Sequence, residues 1–275
     1  MFESRINEWR KLVDSLPENQ AILPSPPDPR DYSEPLLAFP LPPKVTLPVY
    51  KILHQEGTPF CGGASGAGAA GGFYQQHFSM TYLYWLCKRY DGIPDRPGTY
   101  LRTVCKVMNK YGCAPESEMQ FSDRSNPEIK GFAAAKRYQV KDYYQVMTLN
   151  DMKTALVRGH YLLLATIVTA PDWRRDNGGW INGAAGEFRG GHATYLYGYD
   201  DNLSHKHEGY FLGGNSWGEQ WGNKGKFYLP YDYLTMKHNG RDSFIEAWSL
   251  GFEPLRENPW LDYRDLHRAK RKLWG

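Results

Sequence analysis

Several features that would assign this 275-residue chain to a class at once are missing from it. No run approaches the ~18 consecutive apolar residues of a membrane-spanning helix, and residues 1–11 contain no apolar stretch like that of a secretory signal peptide. The chain has neither the CxxC nor the HExxH pattern of zinc sites, and no glycine-rich loop ends in the Lys-Ser/Thr pair of phosphate-binding loops. We therefore expect a soluble protein that needs no metal and no cofactor.

Charge and cysteine are also sparse. The formal net charge of +3 gives no reason to expect nucleic acid as a partner, and nothing indicates a membrane partner. The four cysteines are Cys61, Cys87, Cys105 and Cys113. With an initiator Met and no secretory leader, we expect a cytoplasmic protein with reduced thiols. A disulfide between Cys105 and Cys113 stays open, because the two residues could lie close together at a helix end.

Apolar and aromatic side chains are plentiful, at 41% and 15% of the residues, which is enough for one large domain or two lobes that share a cleft. Their periodicity predicts helices in the first part of the chain and strands in the second. The predicted helices cover 5–16, 79–90, 99–111 and 150–158, the last with Asn150 and Asp151 as its cap region, and the predicted strands cover 162–168, 194–199, 209–212 and 225–229. The proline-dense residues 24–48 are predicted to run extended over a surface. The glycine-rich stretch 61–78 fits either a flexible loop or a closely packed helix.

Three short motifs are the most informative part of the sequence. Residues 215–222 read NSWGEQWG, residues 190–193 read GGHA before an apolar stretch, and residues 55–62 read QEGTPFCG. In this order, Gln55, Cys61, His192 and Asn215 resemble the catalytic set of papain-like cysteine peptidases. His192 lies 131 residues after Cys61 and Asn215 lies 154 residues after it, close to the ~130–150 residues typical of those enzymes. The resemblance makes hydrolysis of peptide bonds the expected activity.

Acyl transfer by a thiol needs a thiolate, a base, a group that orients the base, and donors for the oxyanion. The resemblance implies that Cys61 is the nucleophile at the start of a helix, where backbone N–H groups favour a negative sulfur. It implies that His192 takes the thiol proton, so that the two form a thiolate–imidazolium pair, and that Asn215 orients the imidazole. Gln55 and the backbone N–H of Cys61 are then the expected oxyanion donors, and Trp217 is the aromatic side chain that shields the His–Asn pair from water.

The resemblance also implies an α+β fold of two lobes with the active-site cleft between them. A mainly helical left lobe, residues 45–147, carries the nucleophile, and stretch 61–78 becomes a helix headed by Cys61. An antiparallel, β-barrel-like right lobe, residues 148–252, carries His192 and Asn215. Residues 1–44 form an N-terminal helix and a proline-rich strap, and residues 253–275 form a basic tail. The expected partner is a peptide or protein substrate.

The cysteine motif departs from the usual family pattern, in which Gly-Ser precedes the nucleophile and Trp follows it. Here Pro59 and Phe60 precede Cys61, Gly62 follows it, and the Thr-Pro-x-Cys run is similar to that of bacterial and phage relatives. A rival alignment places Ala64 at the nucleophile position. The alternative function is therefore an inactive papain-like protein that binds a peptide or builds an assembly, such as a phage particle. If a phage encodes the chain, a place in the virion is the alternative to the cytoplasm.

Two further segments carry expectations about the cleft. Leu36, Leu37, Phe39 and Leu41 would be an exposed apolar strip if residues 1–44 were free in solvent, so we expect this segment to pack on the body. A structural strap across the back is favoured, and a short inhibitor across the cleft is the alternative. Loop 172–180, near the rim of the cleft, either selects substrate through Trp180 or its arginines or is simply solvated.

Overall fold

The computed structural model describes residues 6–8, 10–11, 22–28, 31 and 41–254. Residues 6–8 and 10–11 are helical, as predicted for the segment 5–16. The rest of that prediction lies outside the described residues, and so do Leu36, Leu37, Phe39 and the basic tail.

The first part of the chain forms a helical layer. Helix α1 covers Cys61–Tyr74, α2 covers Met80–Tyr90, α3 covers Leu101–Lys110, and the short α4 covers Phe132–Ala135. The helix prediction for the glycine-rich stretch is confirmed, and α1 is buried along most of its length. Close packing explains its composition. A Cβ built on Gly63 would lie 2.5 Å from the carbonyl oxygen of Met80, and one on Gly68 would lie 2.5 Å from the ring of Tyr195.

The second part of the chain forms a seven-stranded antiparallel sheet. Its strands are β2 (Lys44–Thr46), β4 (Val140–Gln145), β5 (Tyr161–Ala170), β6 (Glu187–Ser204), β7 (Glu208–Gly214), β8 (Lys226–Pro230) and β11 (Phe244–Phe252). The order is β4-β11-β5-β6-β7-β8, and β2 pairs with β6. Among the described residues, the sheet stays open rather than closing into a barrel. The fold is α+β, with helices and a large antiparallel sheet, as predicted.

The remaining elements are short. Strands β1 (Ile22–Leu23) and β3 (Thr99–Tyr100) form a parallel pair, β9 (Lys237–His238) and β10 (Arg241–Asp242) form a hairpin, and a 3-10 turn covers Tyr231–Leu234. Helix α5 covers Leu149–Val157. The cap prediction for α5 is wrong: Thr148 is the N-cap, and its hydroxyl accepts a hydrogen bond from the backbone N–H of Asp151. A hydroxyl at this position satisfies an N–H group that has no partner within the helix.

The sheet is buried on both faces, because successive side chains of a strand point to opposite sides. On β5, Leu163 and Ala165 pack in the core that includes α1, α2 and α3, whereas Leu162 and Leu164 pack in a second core beneath α5. The first core joins the helical layer to the sheet, with Cys61 on one side and Ala193 of β6 on the other. Within the described ranges, no helix is both long and apolar enough to cross a bilayer.

Candidate active site

Cys61 is the first residue of α1 and is fully buried. Its sulfur is hydrogen-bonded by the backbone N–H groups of Ala193, Gly62 and Cys61 itself. Ala193 directly follows His192 on β6, so the sulfur lies against the strand segment that carries the candidate base. Ala64, the rival nucleophile position, lies one turn further along α1 and is also buried. The geometry brings Cys61 to the site and leaves Ala64 inside the helical layer.

His192 is held by one hydrogen bond of defined direction. Its Nε2 lies 2.7 Å from Oδ1 of Asn215, and the same Oδ1 accepts a hydrogen bond from the backbone N–H of Ser216 at 2.8 Å. Because Oδ1 is the acceptor in both bonds, Nε2 carries the imidazole proton. Nδ1 is then the nitrogen that can accept a proton, which is the tautomer a general base requires.

Two tryptophans enclose the imidazole. The ring of Trp217 stacks on His192 with centroids 4.5 Å apart and an angle of 24° between the planes. Trp173 meets His192 edge-on, with centroids 6.0 Å apart and planes at 90°. Trp217 thus covers one face of the imidazole. Trp173 was missed, because the sequence analysis singled out Trp180 in the same loop.

Burial favours the uncharged forms of both reactive groups. Burial raises the pKa of Cys61 to about 11, opposed by the hydrogen bonds from the three backbone N–H groups. Burial lowers the pKa of His192 to about 4, opposed by the hydrogen bond to Asn215. Burial thus disfavours the charged form of each group, the thiolate of Cys61 and the imidazolium of His192.

Gln55 lies between the nucleophile loop and the NSWG motif. Its Oε1 accepts a hydrogen bond from the Ser216 hydroxyl at 2.6 Å, and its Nε2 donates to the carbonyl of Thr58. An amide nitrogen carries two hydrogens, and Gln55 lines the cleft, so one N–H is left to face a substrate oxygen. Ser216 therefore ties Gln55 to Asn215. The sequence analysis quoted Ser216 within its motif without assigning it this role.

The cleft has a volume of about 660 Å³. One wall is formed by residues 55–59, and the opposite wall by residues 168–170 and 190–192. Trp173 and Arg174 also line it. Trp180 stacks instead on His205 and Tyr228, with centroids 4.5 and 4.2 Å apart, so of the alternatives for loop 172–180 the arginine Arg174 is the one that lines the cleft.

The described part of the N-terminal segment lies between the two lobes. Ile22 and Leu23 are fully buried and pair in parallel with Thr99 and Tyr100. A Cβ built on Gly62, the residue after Cys61, would lie 3.6 Å from Cδ1 of Ile22. Residues 22–28 thus run beside the start of the nucleophile helix, and the role of the segment as strap or inhibitor stays a prediction.

Polar contacts anchor this segment to both lobes. The hydroxyl of Ser25 donates to Oε1 of Glu246 on β11 at 2.8 Å. The Nη1 of Arg102 on α3 lies 2.9 Å from Oδ2 of Asp31 and 3.5 Å from Oδ2 of Asp28. Glu246 is nearly inaccessible, and burial raises the pKa of its carboxyl to about 7. The segment thus contacts both lobes, with Arg102 on the helical side and Glu246 on the sheet side.

The cysteines and the two histidines of the 205–207 loop that lie outside the site contact other side chains or are buried in the core. All four cysteines are reduced and buried, so the alternative disulfide is absent. His207 contacts Asp232 at 2.8 Å, and His205 stacks on Trp180. Over the described stretches of the chain, no three His, Cys, Asp or Glu side chains are grouped so that they would hold a metal ion.

Comparison with known proteins agrees with this geometry. The family model for papain family cysteine proteases matches residues 68–240, a range that contains His192 and Asn215 and begins after Cys61. An uncharacterized peptidase C1-like protein of Acanthamoeba polyphaga mimivirus is 28% identical over 184 residues, which span 61% of this chain and 58% of that protein.

Solved structures show the same fold. Xylellain, a cysteine protease from Xylella fastidiosa, is similar with a TM-score of 0.68 and 23% identity, over 85% of this chain and 96% of that one. A procathepsin B (S9) from Trypanosoma congolense is similar with a TM-score of 0.61 and 14% identity, over 91% and 97% of the two chains. Because the family model covers more than half of the sequence, the chain belongs to the papain family of cysteine proteases.

Proposed function

We propose that the protein is a cysteine peptidase that hydrolyses peptide bonds through an acyl-enzyme on Cys61. One observation carries the proposal: the sulfur of Cys61 accepts a hydrogen bond from the backbone N–H next to His192, whose ring is fixed by Asn215. Nucleophile, base and orienting group are the three parts that thiol catalysis requires. Membership of the papain family supports peptide or protein substrates.

The geometry supports an ordered sequence of proton and acyl transfers. Nδ1 of His192 takes the thiol proton, and the sulfur attacks the carbonyl carbon of the scissile bond. The backbone N–H of Cys61 and Nε2 of Gln55 hydrogen-bond the oxyanion that forms. His192 then gives its proton to the leaving amine, and a water molecule, activated by the same imidazole, releases the acyl group.

The burial of the nucleophile decides how this activity is tested. Cys61 is fully buried, so the test must show that a reagent can reach its sulfur. A test therefore measures peptide hydrolysis together with alkylation of the cysteines by iodoacetamide, located by mass spectrometry. We expect Cys61 to be alkylated faster than Cys87, Cys105 and Cys113 at neutral pH, and hydrolysis to stop when it is modified.

The inactive, peptide-binding alternative makes the opposite prediction. A protein that binds peptides without cleaving them retains its affinity when Cys61 is alkylated with a small reagent and shows no hydrolysis beforehand. A preparation that hydrolyses no peptide and has four cysteines of equal reactivity would overturn the peptidase proposal.

A further inference from the structure

Helix α2 carries a buried ammonium group outside the catalytic set. The side chain of Lys88 is only 7% exposed, yet its Nζ lies 2.9 Å from Oδ2 of Asp91, whose side chain is fully buried. The same Nζ donates to three backbone carbonyls, those of Ile93 at 2.6 Å, Arg96 at 2.8 Å and Gly98 at 3.0 Å. Burying a charge is costly unless it is paired and hydrogen-bonded, so this arrangement holds the chain around it in one conformation.

The three carbonyls belong to the loop between α2 and β3, residues 91–98. Pro97 of this loop lines the cleft. Gly98 follows in the left-handed region, with φ of +83°, and its backbone N–H is hydrogen-bonded to the Tyr84 hydroxyl. Lys88 and Tyr84, one turn apart on α2, therefore hold Gly98 from its carbonyl and its N–H respectively.

Strand β3 follows this loop directly and lies beside the start of the nucleophile helix. A Cβ built on Gly62 would lie 2.9 Å from Cγ2 of Thr99. The backbone of Thr99 and Tyr100 pairs with Ile22 and Leu23, so this edge already holds an extended segment. An exposed strand edge binds an extended peptide through main-chain hydrogen bonds. The position of the β3 edge relative to Cys61 is therefore set by loop 91–98, which precedes the strand.

We infer that Lys88 is a positioning residue, which fixes loop 91–98 so that the edge of β3 holds an extended peptide next to Cys61. The peptide held in the structure is the chain's own segment at residues 22–23. That the edge also holds substrate rests on the proposed peptidase function. Lys88 contacts neither the nucleophile nor the segment, and it acts through the three carbonyls that it binds.

Amide hydrogen exchange in the full chain tests the structural half of this inference. In Lys88→Met, a side chain of similar length that donates no hydrogen bond, we expect exchange at least tenfold faster in residues 22–25 and 97–100. Exchange in α1 should remain as in the wild type. Lys88→Gln keeps an amide donor, so its exchange rates should lie between those of the wild type and Lys88→Met. This variant replaces Lys88→Met in the test if the Met variant does not fold. Lys110→Met, at the exposed end of α3, is the matched control.

The functional half compares two reagents that both alkylate Cys61, of which only one carries a peptide. We expect the alkylation rate with a peptidyl epoxide, divided by that with iodoacetamide, to fall at least tenfold in Lys88→Met and less in Lys88→Gln. Because both reagents alkylate the same sulfur, the ratio cancels any change in the reactivity of Cys61 itself.

Unchanged exchange together with an unchanged ratio in either folded Lys88 variant overturns the inference. So does faster exchange spread equally over α1, because this would mean general destabilisation. Neither measurement needs hydrolysis, so a chain that cleaves no peptide but shows both changes refutes the peptidase proposal and retains the role of Lys88.

Discussion

The two lobes hold their halves of the site by different means. On the sheet side, His192 is fixed by side chains: a hydrogen bond to Asn215 and a stacked Trp217. On the helical side, Cys61 is fixed by backbone: it begins α1, and its sulfur is hydrogen-bonded by main-chain N–H groups. A side chain that makes a contact must be of one kind, whereas a backbone contact is open to many residue types. The sheet side therefore leaves a clear motif in the sequence, and the helical side does not.

Phe60 shows how the residue that precedes the nucleophile is held on the helical side. It is the N-cap of α1 but makes no side-chain capping hydrogen bond. Its ring instead stacks on Tyr84 with centroids 4.2 Å apart and meets Trp85 and Phe121 edge-on. Aromatic packing of this kind contributes about 1 kcal/mol per pair beyond area burial. It places Cys61 without the residues that usually surround a family nucleophile.

The sharpest test of the comparison removes the sulfur. Cys61→Ala should lower kcat/KM for peptide hydrolysis by about 10⁴-fold or more, because no other group can form the acyl-enzyme. Since backbone contacts hold the start of α1, the melting temperature should change by only a few degrees. Hydrolysis assays and thermal unfolding check both. Ala64→Cys in the Cys61→Ala background is the control, and activity restored by it would place the nucleophile one turn further along the helix.

On the sheet side, the two partners should differ in effect. His192→Ala should be as damaging as Cys61→Ala, since thiol and base act as a unit. Asn215→Ala should cost about 10²-fold, because it removes the group that orients the ring while the base remains. The comparison of kcat/KM for the three variants decides this. If His192→Ala kept wild-type activity, the assignment of base and nucleophile would be wrong.

This contrast also explains which parts of the structure could be predicted from the sequence. The helical and sheet-rich halves were predictable, because residues 162–168 form an apolar run typical of a buried strand and the apolar residues of α2 have helical spacing. Strand β11 was not predicted, since Glu246 is buried within it and interrupts the apolar pattern. Trp173 and Ser216 were missed because each acts through a neighbouring residue. Trp173 contacts His192, and Ser216 links Gln55 to Asn215.

The surface on which the N-terminal segment packs could not be predicted from the sequence, for a related reason. Ser25 and Glu246 are 221 residues apart, and Arg102 and Asp31 are 71 apart. Local composition shows that a proline-rich segment is extended, but it does not show which surface receives it. The polar anchors on that surface become visible only when the lobes are assembled.

Glu246 offers a smaller and pH-dependent test, on the sheet strand that faces the helical side. Its folded-state pKa of about 7 lies above the ordinary value of 4.5, so the folded form binds more protons between these values. Stability should therefore fall as pH rises from about 5 to 8, and the loss is about 2–3 kcal/mol by linkage. The groups that face the carboxyl are Trp248, Ser25, Arg102 and Cys105.

Urea unfolding of Glu246→Gln at pH 5 and pH 8 measures this contribution. The variant should lose about 2–3 kcal/mol less stability than the wild type over that interval, because its side chain does not titrate. Exposed Glu128→Gln is the matched control and should behave as the wild type does. Equal pH dependence in the wild type and Glu246→Gln would mean that the Glu246 carboxyl is not held in a low-dielectric environment.

The smallest expected effect concerns the anchor on the helical side and decides between strap and inhibitor. Asp28→Asn with Asp31→Asn removes the two carboxylates that pair with Arg102, whose side chain is 10% exposed and then faces only the buried Glu246 carboxyl. Loss of the partners of a buried charge is strongly destabilising, so the docked arrangement should weaken and peptide hydrolysis should rise about tenfold. Asp242→Asn in the exposed β10 hairpin is the control. Steady-state kinetics and urea unfolding of the full-length variants separate the two roles, because an inhibitor that leaves the groove raises the rate whereas a strap that loosens only lowers stability. A loss of stability with no gain in rate would make the segment a structural strap that happens to lie between the lobes.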